Sequence, residues 1–317
     1  MNLPACSLLG LLLWSASAVA QDIRHDAGFL SPAIIDEKSA SDFKPRAVSS
    51  MRDSYSFVPG WFAGVGGSYN SVKIDSRVGG SGLTDIYDNG TLVAVGFAGG
   101  PAPPFNETVT TFAPVAQFGY SQNIRDSEWL LGYKFQYKYL GLTIASDGFD
   151  APQVGVYEII NPPSTSTFTG NATTESAQVS VNHEIAMIPF IGRSFGRGSF
   201  YIGGGPVVFD TESHLYDLSS YADIDGVRTN VGGRPLTLAH STWLWGGAAQ
   251  MGMIYNVSPA CYLDFSYDFM VTGEHLTEWY VPVTSESNGL TYETGIHYRE
   301  LLRVWAQSLT VTFNFKF

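Results

Sequence analysis

Lys134, Lys138, Glu184, Asp264 and Asp268 are the ionisable residues whose spacing most invites chemistry. Each interrupts a run that otherwise alternates with large apolar residues. In Trp129–Leu140 one face carries Trp129, Leu131, Tyr133, Phe135, Tyr137 and Tyr139, and the other Lys134, Gln136 and Lys138. In Cys261–Val271, Leu263, Phe265, Tyr267, Phe269 and Val271 oppose Asp264, Ser266 and Asp268; in Gln178–Arg193, Val179, Val181, Ile185, Met187 and Ile191 oppose Asn182 and Glu184. Period-two alternation belongs to β-strands, whose successive side chains point to opposite faces. If the polar faces share an enclosed interior, the charges must pair, because an unpaired buried ion costs several kcal/mol. Two lysines facing three acids therefore predict a buried ion network, with a proton or ion path as the second reading.

Other sets of reactive residues are weaker. His240 and Ser241 would supply a base and a nucleophile, but adjacent strand residues point to opposite faces and do not meet. Asp210, Glu212 and His214, with Asp223 and Asp225, form a loose acidic group, and His275 lies between Glu274 and Glu278 with poor metal-ligand spacing. No phosphate loop, nucleophile elbow or Cys/His metal pattern is present. The expectation is no catalytic residue, no metal and no cofactor.

The elements that would position these residues are strands. Leu309–Phe317 alternates Leu309, Val311, Phe313, Phe315 and Phe317 with Thr310, Thr312, Asn314 and Lys316, the pattern of a membrane strand with phenylalanine toward lipid and polar groups toward a lumen. Seven further stretches share strand character: Trp61–Ile74, Phe112–Gln122, Trp129–Thr143, Gln178–Arg193, Ser199–Phe209, Ser241–Tyr255 and Cys261–Thr272, with the eighth at Leu301–Phe317. Short connections at 123–128, 194–198 and 256–260 alternate with long ones at 75–111, 144–177, 210–240 and 273–300. Short turns on one side and long loops on the other characterise outer-membrane barrels. The predicted fold is all-β: a transmembrane antiparallel up-and-down β-barrel of eight strands, or ten if a long loop folds into a hairpin. Both termini are then periplasmic and the four long loops, all acidic, extracellular. The apolar stretch Leu92–Phe105 stands out in one of these loops as an extension of a strand or a partner contact. Trp61, Tyr120, Trp129, Tyr255 and Tyr262 near the turns, with Trp243, Trp245 and Trp305 near the loops, predict two interfacial aromatic belts.

The ends and the composition agree. Residues 1–20 have the apolar core and Ala18-x-Ala20 cleavage pattern of a secretory signal, without a basic residue at the start. Residues 21–60 mix charges with Pro32, Pro45 and Pro59 and are expected to form a flexible periplasmic leader; 61–317 are assigned to the barrel. Aromatic residues make up 14% and charged residues only 15%, with a net charge of −12, against about a quarter charged in soluble domains. The acidic balance argues against nucleic acid. Cys6 leaves with the signal, so Cys261 has no intramolecular partner.

From the signal, the terminal Phe317, the strand count and the loop alternation, Trp61–Phe317 resembles the small outer-membrane β-barrels, the OmpA-type transmembrane domains and related surface antigens. The resemblance is architectural. It implies that Phe313, Phe315 and Phe317 form an assembly signal presented to the barrel-assembly machinery. It also implies outer-membrane lipid and lipopolysaccharide as surroundings. The sequence ends on the last strand, so the wall-binding domain of OmpA proteins, and with it peptidoglycan anchoring, is not carried over. The expected role is non-enzymatic: structural, adhesive or surface-interacting through the acidic loops toward a host or cell-surface ligand. A lipid-modifying enzyme or a narrow pore is the alternative.

Overall fold

The computed structural model describes residues 59–317, apart from Asp126 and Asp225. The signal segment and all but the last two residues of the 21–60 leader lie outside the described residues. Eleven strands follow one another: β1 Gly60–Asp88, β2 Thr91–Pro101, β3 Phe105–Asn123, β4 Trp129–Ile159, β5 Ser164–Phe195, β6 Gly198–Ile224, β7 Val227–Asn230, β8 Leu236–Asn256, β9 Cys261–Thr272, β10 His275–Ser287 and β11 Leu290–Lys316. They form one sheet, paired antiparallel throughout.

At the end with the tight turns, the sheet closes as β1-β3-β4-β5-β6-β8-β9-β11 and back to β1. Closure comes where Phe62 pairs with Lys316 and the ladder runs up to Asp88 opposite Leu290. This lower tier is an eight-stranded barrel, a size whose interior side chains can fill. Its outer face carries Val65, Phe135, Ile185, Ile191, Ile202, Met251, Leu309 and Val311, all exposed. An outward apolar band around a closed ring, which leaves no unsatisfied sheet edge to lipid, is what a transmembrane barrel requires.

The long connections are not loops. β1, β4, β5, β6 and β11 run on far beyond the lower tier, with lengths of 29, 31, 32, 27 and 27 residues. They form the frame of an upper tier in which β2 takes the place of β3, β7 joins β6, and β10 replaces β9 beside β11. Two of its hairpins turn on Asn89-Gly90 (φ 48° and 79°) and Asn288-Gly289 (φ 54° and 78°). Paired positive φ at Asn-Gly defines the type I′ turn, whose twist matches the strands it joins. Hairpins inside the expected loops thus raise the strand number to eleven while the membrane ring stays at eight. Leu92–Phe105 is mostly strand β2, with Phe97 lying across from Leu83 on β1 and Val156 on β4.

Two facial assignments need correction. Val179 and Val181 are buried inside the barrel rather than facing outward. The register slips where β5 passes Val181–His183 against both β4 and β6, so the inward parity changes from even to odd. Tyr262 is also interior, 2% exposed, because it shares the parity of Asp264; its ring packs edge-on against Phe62 at 5.7 Å. It does not belong to the outer aromatic belt.

Candidate functional site

The five charged residues converge inside the lower tier. β4 and β9 stand on opposite walls of the ring, and inward alternation aims Lys134 and Lys138 from one at Asp264 and Asp268 on the other. Lys134 Nζ lies 2.8 Å from Asp264 Oδ2 and donates to Tyr201 Oη at 2.8 Å; Tyr201 donates in turn to Asp264 Oδ1 at 2.7 Å. Lys138 Nζ lies 2.9 Å from Glu184 Oε1 and 3.1 Å from Asp268 Oδ2, and donates to Ser308 at 3.0 Å. Gln117 donates to Thr312, Asn314 and Asp264, Thr310 donates to Asp268 at 3.0 Å, and Gln250 donates to Asp268 as well. All five charged side chains are buried, Lys138, Glu184 and Asp268 completely. Pairing with additional hydrogen bonds is the condition under which buried charges are tolerated. The sequence identified the members; it did not identify Tyr201, Gln117 and Gln250, neutral residues whose inward parity was the available signal.

The layers on either side are apolar. Toward the turns, Phe62, Leu130, Phe190, Tyr201, Ile254 and Tyr262 form one cluster. Above the ions, Val72, Ile74, Leu142, Val181, Phe209, Leu244, Met270 and Val304 belong to a larger one that spans the bore. Side chains thus fill the lower tier from end to end.

A second polar site lies above this plug, and the sequence reading missed it. Glu300, counted among the acids of an exposed loop, is 5% exposed. It accepts hydrogen bonds from Ser76 Oγ at 2.8 Å and Ser213 Oγ at 3.2 Å. Inward alternation along β11 through Leu302 and Val304 was the signal that could have found it. Burial raises its carboxyl above the usual range, with the two serines and the charge of His240 acting in the opposite direction.

The remaining candidates separate. Ser241 is exposed on the face opposite His240, whose ring meets Trp279 edge-on at 5.6 Å. His240 is the cross-strand neighbour of Ser213, but that serine donates to Glu300 rather than to a histidine base. His214 lies 2.9 Å from Glu212, and His183 4.0 Å from Asp210. His275 contacts Thr242 at 3.3 Å across the gap between β10 and β8. Among the described residues no three His, Cys, Asp or Glu side chains converge as a metal site.

The outer rings are in place. Trp61 stacks on Phe118 at 5.2 Å, Phe118 meets Phe317 at 6.5 Å, and the Phe317 amide donates to the Trp61 carbonyl at 3.0 Å. Phe313 and Phe315 pack edge-on at 5.0 Å, and at the other rim Trp305 meets Phe269 at 6.0 Å while Trp243 and Trp245 are exposed.

No protein-family model matches this sequence, and no curated protein does. Solved outer-membrane barrels are similar at the level of strand arrangement. The outer membrane protein OprG from Pseudomonas aeruginosa shares 12% identity over 81% of this chain and 97% of its own, at a TM-score of 0.33. The outer membrane protease OmpT from Escherichia coli shares 11% over 84% and 99%, at 0.26, and the attachment invasion locus protein Ail of Yersinia pestis 12% over 75% and 98%, at 0.23. This chain's own ring and belts make it an eight-stranded transmembrane β-barrel of the outer-membrane type, its wall extended into a second tier.

Proposed function

We propose that this chain is a non-enzymatic surface barrel of a Gram-negative outer membrane, with both termini in the periplasm and its interaction function in the upper tier. The observation that supports this most is the contrast in access: ion pairs and an apolar plug fill the membrane tier, while the upper tier offers open surface. On its outer face, Leu83, Phe97 and Val156 lie side by side on three strands and are each exposed, at 53%, 55% and 45%. A contiguous apolar stripe of this kind suits a partner surface. The β4–β5 hairpin exposes Asp147, Asp150, Glu158 and Glu175 with no basic residue between Ile144 and Ala177, a surface suited to divalent-cation bridging to lipopolysaccharide or to a host or cell-surface ligand. Delivery to the membrane would use the barrel-assembly machinery through Phe317.

The test compares planar-bilayer conductance with the lipid A mass spectrum of cells lacking or overexpressing the protein. The expected result is no porin-sized steady conductance and no change in lipid A, with cell or lipopolysaccharide binding reduced when the β4–β5 hairpin is trimmed. Ohmic single-channel conductance would replace this reading with a pore, and a new lipid A species with an enzyme.

A further inference from the structure

Three cavities adjoin one another inside the upper tier. The outermost is lined by Gly80, Gly82, Gly96, Ala98, Ala172 and Ala222 and has a volume of about 70 Å³. The next shares Gly80, Gln153, Ala172 and Tyr298 with it. The third shares Val78, Phe149 and Leu215 with the second, and its wall includes Glu300. The cavities are thus stacked from the outer end of the barrel toward a buried carboxylate, narrowing to about 10 and 20 Å³ in the inner two.

Gly82 and Gly96 leave part of this space open without packing requiring them. A Cβ on Gly82 would come no closer than 3.5 Å to Thr294, and one on Gly96 no closer than 3.8 Å to Tyr157. These are ordinary contacts, and neither position has the positive φ that calls for glycine. Glycine within a strand weakens it and often marks a bulge, a bend, or a close approach by another backbone or a ligand. At the inner end, Glu300 holds two serine hydroxyls, but no described Lys, Arg or His nitrogen lies within 4.0 Å of its carboxylate. A buried carboxylate ordinarily takes a cationic partner, as every carboxylate of the ion network below it does.

We propose that the upper tier binds a single-chain alkyl amine, with its apolar tail in the outer cavities and its protonated amine against Glu300. The apolar lining accepts a flexible chain, and the carboxylate, with no described cationic nitrogen within 4.0 Å and only the more distant His240 near it, selects a cation over a neutral or anionic head. From Glu300 to Tyr292, eight residues up β11, the path is roughly 26 Å at the rise of an antiparallel strand, long enough for a linear molecule. The proposal rests on the reading of the upper tier as the interacting part and gives it a ligand class.

The experiment titrates the full-length protein in lipid nanodiscs with dodecylamine, 1-dodecanol and dodecanoate, with empty nanodiscs subtracted. Dodecylamine is expected to bind at least tenfold more tightly than dodecanol, and dodecanoate most weakly. Glu300→Gln should bring the amine within twofold of the alcohol while leaving the alcohol unchanged, and Gly82→Leu should weaken both at least fivefold by filling the cavity. Glu300→Asp, which withdraws the carboxylate by one methylene, should reduce the amine preference and serves if the glutamine variant fails to show the heat-modifiable folded band. Equal binding of amine and alcohol by the parent, an amine preference that survives Glu300→Gln, or binding indifferent to Gly82→Leu would each overturn the proposal. Conductance of the same preparation keeps the two readings apart. A conducting barrel that still selects the amine defeats only the closed-barrel reading, and a silent barrel without selectivity defeats only this one.

Discussion

The lower and upper tiers share five continuous strands, β1, β4, β5, β6 and β11, yet their interiors are opposites. In the lower tier inward positions carry lysine, glutamate, aspartate and bulky aliphatics, and ion pairs link β4 to β9 across the full diameter. In the upper tier inward positions carry Gly80, Gly82, Ala98, Ala172 and Ala222, and space remains. The walls differ as well. β8 and β9 pair up to Gly246 and Thr272; beyond that point β10 pairs only with β11. Side chains bridge the resulting seam: Thr242 to His275, His240 to Trp279 and Ser285 to the Asn230 carbonyl. The same wall thus yields a welded plug or an accessible vessel according to the size of inward side chains and the completeness of one ladder.

The comparison breaks most completely at the closure point. Deleting Phe317 removes the amide that bonds Trp61 and the ring that meets Phe118 where β11 joins β1. Export is expected to continue while the heat-modifiable folded band disappears from the membrane fraction; normal levels of that band would show that the terminal aromatic is dispensable. The next largest effect separates the tiers by charge. Asp264→Ala leaves Lys134 buried without its carboxylate and should cost about 3–5 kcal/mol. Glu278→Ala breaks an exposed upper-tier pair with Arg299 at 2.9 Å and should cost about 0–1 kcal/mol. Urea unfolding in lipid measures both, and equal midpoints would contradict the assigned faces.

How much of this was legible depends on the tier. Lys134, Gln136 and Lys138 fall inside because strict alternation continues from Trp129 to Leu140, and the same parity places Asp264 and Asp268. It fails at Val179 and Val181 because a register slip carries no marker in residue type. It was misapplied at Tyr262, whose even number already placed it with Asp264. In the upper tier, segment length and acidity point to loops and mask the strand pattern, although Asn89-Gly90 and Asn288-Gly289 are strong hairpin dipeptides. Glu300 is hidden by the same features. Once the segment is a strand, Glu300 shares a face with Leu302 and Val304, but its serine partners are 224 and 87 residues away, and no local pattern connects them.

The smallest effect tests whether the upper tier gives up stability to hold its carboxylate. Burial raises the Glu300 pKa above the 4.5 of the unfolded chain. The sign follows from linkage: below the unfolded value both states hold the proton and the contribution is fully present, and it is lost as pH rises through the higher native value. Glutamine at 300 keeps the shape and the serine contacts but has no proton to lose. Glu300→Gln should therefore unfold at nearly the parent's urea midpoint at pH 4 and above it at pH 8, with the gap opening as pH rises. Taking the difference between variant and parent cancels the titration of the other acids, which both proteins share. Curves that stay parallel from pH 4 to 8 would mean that Glu300 ionises as easily in the folded barrel as in the unfolded chain, and the cavity floor would then be wet rather than closed.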